Sequence, residues 1–319
     1  MPLVAGIDEA GYGPTLGPLV VGATLWNVPP RLVKADYWDL LQDCVRRSVR
    51  RGEWRLAVND SKAIYNRKKG ISTLERSVLA FAHAAGLNLT TLDTLLTQLG
   101  VRLHEAGELP WYRDLSQPLP ADRAQSKYQA VAERLERSMT ETGMTCCGMM
   151  AEVVTEDRFN QRVSRTRNKA AVLIEQVLRL IQSAAQRAGG QDLVVRADRL
   201  GGRTNYCPLL AAAFPERHLH IREVSEHRSR YRLAAADNDW FIEFAVDADK
   251  RHLPVALASM LAKYLREVLM QRFNDFWTER LPNLRPTAGY YTDARRFLAQ
   301  IEPVVVEAGP PRERFVRMR

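Results

Sequence analysis

The sequence predicts an α/β protein in which a central sheet is flanked by helices. Short apolar runs rich in β-branched residues, such as residues 3–7 and 19–25, are typical of buried strands. Long amphipathic patterns over residues 168–190 and 254–277 predict helices. Because strands and helices alternate along the chain and no internal repeat is present, a layered α/β architecture is favoured.

The bulk composition indicates a soluble protein with a polyanionic partner. The 319 residues are 46% hydrophobic and 26% charged, which suits one large domain with an insertion. We expect no signal peptide and no membrane span, because no run of about 18 apolar residues occurs. Four cysteines without CxxC spacing predict free thiols and a cytoplasmic location. The net charge of +9 favours nucleic acid, then an anionic membrane surface, with simple solubility as the alternative.

The first part of the chain predicts strand, turn, strand and then two helices. The strands in "LVAGID" and "LVVGATLW" enclose a glycine-rich turn. Apolar spacing predicts helices over 37–52 and 71–86, the second beginning with the capping box of Ser72 and Glu75. From about 84 to 147, helical pieces surround a loop with three prolines, which we interpret as an inserted segment.

The second part of the chain predicts further strands between long helices. "GMMAEVV" and "DLVVRAD" have the pattern of strands, and the helix over 168–190 lies between them. A strand leading into the basic stretch 227–232 comes next, and then the helix over 254–277. We expect a single domain over 1–319, with a helical C-terminal extension over about 264–319.

Acidic residues at three places could together form a metal site. Asp8 and Glu9 are adjacent near the end of the first strand, Asp198 ends a later strand, and Glu267 lies on the helix over 254–277. In α/β folds, strand ends are where sites usually form. Hard divalent cations bind carboxylate oxygens, and two such ions about 3.5–4 Å apart can activate water and stabilise the leaving oxygen of a phosphodiester.

Each acidic place also has a simpler interpretation. The Asp8-Glu9 pair could be a solvated turn or a helix cap, with a lysine or water offsetting its charge. Asp198 could pair with Arg199 at the surface, and Glu267 could be one more exposed helix charge. The turn "GYGPTLG" could pass for a dinucleotide-binding loop, but a pyrophosphate there would face two carboxylates without compensation. Its glycines more plausibly let a sugar-phosphate chain approach the backbone.

Several motifs, taken in order, resemble those of the type 2 ribonucleases H, the ribonuclease HII and HIII group. "GIDEAGYGPTLGPLVVGA" resembles the opening pattern GxDEAGRGPxxGP, and "ALASMLAKYLRE" is similar to the family helix A-S-I-x-A-K-x-x-R-D. "NDSK", "EDRFNQ" with the following helix, "LVVRAD" and "GYYT" resemble further family elements in the same order. The resemblance covers most of residues 1–83 and 148–300.

The resemblance implies an RNase H-like fold with a central mixed sheet. It also implies a metal-dependent endonuclease that cuts RNA in RNA–DNA hybrids, or ribonucleotides embedded in DNA, using Mg²⁺ or Mn²⁺. By position, the catalytic and metal-binding carboxylates would be Asp8, Glu9, Asp198 and Glu267. The substrate-binding residues would be Gly11, Tyr12, Gly13, Lys62, Lys263 and Tyr290. We expect a monomer that acts on nucleic acid and not on membranes.

The sequence also departs from the family pattern. The usual GRG is GYG here, so Tyr12 stands where a cationic side chain could touch phosphate, and the fourth acid is Glu267 where ribonuclease HII has Asp. A binding protein that has lost turnover, or a metal nuclease on another structured nucleic acid, are therefore the alternatives. The stretch "HRSRYR" and the basic tail "GPPRERFVRMR" are further candidates for nucleic-acid contact or for solvated surface.

Overall fold

The computed structural model describes residues 1–50, 52–65, 70–103, 109–121 and 128–318. The strands of this part of the chain are β1 (Leu3–Ala10), β2 (Leu19–Asn27), β3 (Val45–Arg46), β4 (Leu56–Ala57), β5 (Thr145–Val154), β6 (Leu193–Asp198), β7 (His218–Val224), β8 (Arg228–Ala234) and β9 (Asp239–Ala245). Seven of them form one sheet in the order β5-β2-β1-β6-β9-β8-β7, and β3 pairs with β4 separately. Strands β1, β6 and β9 are parallel and the outer pairings are antiparallel, so the sheet is mixed.

The helices of the described residues flank this sheet. They are α1 (Tyr37–Leu40), α2 (Ser61–Ile64), α3 (Ser72–Ala84), α4 (Leu92–Gln98), α5 (Tyr128–Thr142), α6 (Glu156–Thr166), α7 (Lys169–Ala188), α8 (Cys207–Ala213), α9 (Ala248–Arg251), α10 (Leu253–Thr278), α11 (Tyr291–Ala308) and α12 (Arg312–Phe315). The predicted α/β architecture, a central mixed sheet flanked by helices with a helical C-terminal part, is confirmed. None of the helices in the described ranges is long and apolar enough to cross a membrane.

Helices α10 and α7 cover opposite faces of the sheet. Alternate residues of β1 and β2 belong to two separate apolar cores, one under each helix. Glycine at two strand positions lets α10 approach very closely: a Cβ at Gly6 would overlap the carbonyl group of Pro254, and one at Gly22 would lie 2.6 Å from the Ala258 oxygen. The strand that carries Asp8 is therefore held directly against the first turns of α10.

The interpretation of residues 84–147 as an insertion stays a prediction. Residues 104–108 and 122–127 of this segment lie outside the described residues. The described part packs into the core beneath α10: Trp111 is buried and its ring lies 4.9 Å from that of Phe273, edge to face. In the same core, α5 packs on α3.

One helix boundary differs from the prediction. The helix predicted over 37–52 ends at Leu40, because Trp38 is anchored to the Val58 carbonyl and the chain then turns so that Val45 can pair with Leu56. Tertiary contacts therefore outweigh local helix propensity here. The C-terminal extension over about 264–319 stays a prediction; its first residues lie within α10.

Candidate functional site

The first two acidic strand ends meet on one face of the sheet. Strands β1 and β6 are parallel neighbours, and their last pair in register is Ile7 with Ala197. Asp8 and Asp198 directly follow that pair, so both side chains project to the α10 side of adjacent strands. Asp8 is 8% exposed, and its pKa is raised well above the usual value by burial, by Glu9 and by Asp198. The structure thus brings these three carboxylates together.

Glu9 carries a carboxylate that is only partly compensated within the protein. Burial and then Asp198 raise its pKa from 4.5 to about 7, against weaker stabilisation from Asp8 and Lys62. Its Oε2 atom is buried and has no hydrogen-bond partner among the described residues. A buried carboxylate oxygen without a donor is costly unless a cation or a proton occupies it.

A further acid that the sequence analysis did not select, Asp249, joins this group. It lies on α9, and the N–H of its neighbour Ala248 donates to Asp198 Oδ1 at 2.9 Å. Burial, then Asp60 and Asp198, raise the pKa of Asp249 to about 6. Asp247, which precedes α9, has φ +54° and ψ +38°, a left-handed conformation that is uncommon for a residue with a side chain.

Lys62 and two hydroxyl groups adjoin the acids. Lys62 lowers the pKa of both Glu9 and Asp198, which places its charge near both, and its role as a substrate contact stays a prediction. The Ser259 hydroxyl bonds to Asp8 and also lies 3.1 Å from the Ser61 hydroxyl. Through these contacts α2 and α10 hold the Asp8 carboxyl group in place.

Glu267 is paired with Lys263 and Tyr65 in this structure. Its carboxylate is bound by Lys263 at 2.5 Å and by the Tyr65 hydroxyl at 2.6 Å. Lys263 is the main charge that holds the pKa of Glu267 below its usual value. Glu267 follows Ser259 by two helical turns, about 12 Å along the axis at 1.5 Å per residue. Its assignment as a metal ligand, and that of Lys263 as a substrate contact, stay predictions.

The chemistry of the clustered acids fits a divalent cation. The available ligand atoms are carboxylate oxygens, which Mg²⁺ and Mn²⁺ prefer. One of them, Glu9 Oε2, is buried and accepts no hydrogen bond within the described residues. In the described part of the chain, no three acidic, histidine or cysteine side chains are arranged to hold an ion as they stand.

The glycine loop directly follows Glu9, and its role as the substrate-binding loop stays a prediction. Gly11 has φ +89°, and a Cβ there would lie 2.6 Å from Arg266 Nε and 2.5 Å from the Pro18 oxygen, so only glycine fits. Gly13 has open space where a Cβ would be. Burial, and to a smaller extent the nearby charge of Glu9, raise the pKa of Tyr12 above its usual value.

Two aromatic residues, Tyr12 and Tyr290, belong to the loop and to a turn bonded to it. The Tyr12 ring lies 5.3 Å from Lys169 Nζ, so a cation accompanies the aromatic ring of the GYG loop. Tyr290 is 54% exposed, and it follows Gly289, whose oxygen accepts from Thr15 N at 2.8 Å and Leu16 N at 3.1 Å. These bonds tie the turn that carries Tyr290 to the glycine loop.

The basic stretch 227–232 is not the aromatic-basic contact that the sequence suggested. Tyr231 is 1% exposed and accepts a hydrogen bond from Tyr206 N, because the alternation of β8 points it into the core. The arginines of the stretch are engaged in ion pairs: Arg228 with Glu223, Arg230 with Glu243 and Arg232 with Asp239.

Comparison with known proteins finds structural likeness without sequence likeness. No family model matches the chain, and no curated protein matches its sequence. A chain of the PCNA:RNase HII complex from Archaeoglobus fulgidus is 16% identical, with a TM-score of 0.47 over 99% of this chain and 94% of that chain. Ribonuclease H2 from Pyrococcus horikoshii OT3 is 14% identical, with a TM-score of 0.45 over 98% and 92%.

A third similar structure is Bst-RNase HIII in complex with Mn²⁺. It is 13% identical, with a TM-score of 0.47 over 99% of this chain and 66% of that chain. All three are type 2 ribonucleases H, the group that the sequence motifs resemble.

Proposed function

We propose that this protein is a metal-dependent endonuclease that hydrolyses the RNA strand of RNA–DNA hybrids, or ribonucleotides embedded in DNA. The observation that carries the proposal is the group of buried and half-buried, mutually repelling carboxylates beside an open glycine loop. Burial and repulsion raise the pKa of Asp8, Glu9, Asp198 and Asp249 alike. A protein that only binds phosphates gains nothing from such a negative pocket, whereas a hydrolase gains a cation site.

Asp249 is our choice for the fourth member of the acidic set. Its charge interacts with Asp198, and it stands next to the residue that donates to Asp198 Oδ1. The Glu267 carboxylate is already neutralised by Lys263 and bound by Tyr65. We therefore propose that Glu267 fixes α2 against α10 and that Asp249 takes the ligand position that the motif resemblance gave to Glu267.

Each part of the site has a role in this proposal. Asp8, Glu9, Asp198 and Asp249 would hold Mg²⁺ or Mn²⁺, which when bound supplies positive charge for an attacking water and a leaving oxygen. The Ser259 hydroxyl would orient Asp8, and Lys62, whose charge acts on Glu9, would contact the scissile phosphate. The backbone of Gly11, Tyr12 and Gly13 lines the ribonucleotide and contacts its 2′-hydroxyl. Tyr290 stacks against a sugar or base.

The proposal extends to the protein's surroundings. The four cysteines are free, which suits a reducing compartment, so we place the protein in the cytoplasm. Its partner is a nucleic-acid duplex, and we propose that it acts as a monomer.

Labelled duplexes test the proposal. One contains a single ribonucleotide, one a run of four, one is a full RNA–DNA hybrid, and one is DNA only. We expect Mg²⁺- or Mn²⁺-dependent cuts confined to strands with ribonucleotides, and none with Asp8→Asn. Equal cutting by Asp8→Asn, or cutting of the all-DNA duplex, would refute the proposal. Binding of every duplex without cutting would favour the alternative of a non-catalytic binder.

A further inference from the structure

The segment around α12 folds back onto the glycine loop. Phe315 is fully buried, with its ring 5.7 Å from both Trp111 and Trp277. Asn160 Nδ2 donates to the Val316 oxygen at 2.8 Å, and the N–H of Met318 donates to Asn160 Oδ1 at 2.8 Å. The basic tail that the sequence suggested as a nucleic-acid arm is, over its described part, a docked element.

This docking places the Arg317 guanidinium beneath the loop. Arg317 is 3% exposed, and its N–H donates to the Thr15 oxygen at 2.9 Å. Its side chain donates to the carbonyl oxygens of Gly11 and Tyr12, the second at 3.0 Å. The guanidinium also lies 3.9 Å from the ring centre of Phe159.

The unfavourable burial of the Arg317 charge is partly offset by Glu156 and Tyr112. Burial and then Arg266 lower the pKa of Arg317 to about 10, while Glu156 and Tyr112 raise it. Arg317 therefore stays protonated at neutral pH. Glu156 is fully buried and accepts from the Tyr112 hydroxyl at 3.1 Å. A buried arginine with a fixed fork of donors is suited to hold two carbonyl groups at once.

Holding these two carbonyls fixes the direction of the next two N–H groups. In a planar trans peptide, the N–H points opposite to the C=O. With the Gly11 and Tyr12 oxygens bound by Arg317, the N–H groups of Tyr12 and Gly13 point away from it. Neither N–H donates a hydrogen bond within the described residues, and Gly13 has open space around it.

We infer that Arg317 is a positioning residue that orients the Tyr12 and Gly13 N–H groups toward an oxygen of the bound ribonucleotide. This inference rests on the proposed function for the identity of the ligand. Arg317 does not touch substrate in this arrangement and acts through the loop. Donors fixed before binding cost no reorganisation when the substrate arrives.

Kinetics test one consequence of the inference. Arg317→Met removes both donors and keeps an apolar stem against Phe159, and Arg317→Lys keeps the charge without the fork. On the duplex with one ribonucleotide, we expect kcat to fall about 10–100-fold in Arg317→Met, and less in Arg317→Lys. The control is Arg314→Met, since Arg314 pairs with Asp157 at 3.2 Å in the same segment, and its kcat should change less than about twofold.

A spectroscopic readout separates positioning from stability. Tyr12–Gly13 is the only Tyr-Gly pair in the sequence, so ¹³C′-Tyr/¹⁵N-Gly labelling selects the Gly13 amide alone. In an Asp8→Asn background, which leaves the duplex uncut, we expect this resonance to shift on adding the single-ribonucleotide duplex and not the all-DNA duplex. With Arg317→Met added, the shift should be lost while the melting curve still shows a folded protein.

The Gly13 resonance tests the inference even if the protein cuts no duplex. An equal Gly13 shift with and without Arg317, or no shift with any duplex, would overturn the inference. An unchanged kcat in folded Arg317→Met would overturn it too. If the wild-type protein cuts no duplex but Gly13 responds through Arg317, the proposed function fails and the positioning role stands.

Discussion

The carboxylate of Glu9 should destabilise the metal-free protein, so removing its charge should stabilise it. The pKa of Glu9 is 4.5 in the unfolded chain and about 7 in the folded protein. This difference corresponds to about 3 kcal/mol at a pH above both values. Because the side chain is partly exposed, we expect Glu9→Gln to raise the free energy of unfolding by about 2 kcal/mol at pH 8.

The same difference fixes the pH range of the effect. Between pH 4.5 and about 7 the folded protein binds a proton at Glu9 that the unfolded chain has released. The stability of the wild-type protein should therefore fall as the pH rises through this range, and the Glu9→Gln variant should lack that fall. Urea unfolding at pH 5 and pH 8 in the presence of EDTA measures the fall in the wild-type protein and its loss in the variant. With Mg²⁺ in place of EDTA, only the wild-type protein should become more stable.

The result that refutes this reasoning is simple. If Glu9→Gln is as stable as the wild-type protein, or less stable, at pH 8 without metal, the Glu9 carboxylate is compensated and the site is not strained. Lys62→Gln should change the free energy of unfolding in the opposite direction. Its charge favours the ionised Glu9, so its removal should lower stability at pH 8.

Three further predictions concern the packing and the substrate contacts. Gly6→Ala should lower the free energy of unfolding, measured in urea, by at least about 2 kcal/mol, because the new Cβ would overlap α10. The control is Gly202→Ala, where the Cβ would enter open space, and it should change the free energy of unfolding by less than about 0.5 kcal/mol. Lys169→Gln should weaken duplex binding and reduce the slope of log K against log salt by about 1, measured by fluorescence anisotropy. Tyr290→Ala should cost about 1–3 kcal/mol in the same binding assay through lost stacking, and Tyr291→Ala, similarly exposed, clearly less.

The acidic strand ends were predictable because parallel neighbouring strands bring their ends together. Asp8 and Asp198 each follow an apolar run, and the register of β1 with β6 places them side by side. Asp249 was missed because it lies on a helix of four residues that has no periodic pattern. The available signal was the run "VDADK" directly after the strand "WFIEFA".

Other side chains depend on packing that the sequence does not display. The ion pair of Glu267 with Lys263 could have been predicted from the sequence, since the two residues are four positions apart on one helix. The period of two in "RYRLA" likewise places Tyr231 on the side of Leu233, in the core. For Arg317 no local pattern exists: its burial depends on the docking of α12 near a loop some 300 residues earlier in the chain.

The central claim is that Asp8, Glu9, Asp198 and Asp249 form one site for a divalent cation. The most direct measurement is the anomalous difference density of a crystal soaked in Mn²⁺. The account predicts a peak within ligand distance of Asp8 and Asp198, in contact with Glu9 or Asp249, while Glu267 stays bound to Lys263. A peak on Glu267 with Asp249 unliganded, or no peak near Asp8 at saturating Mn²⁺, would contradict it.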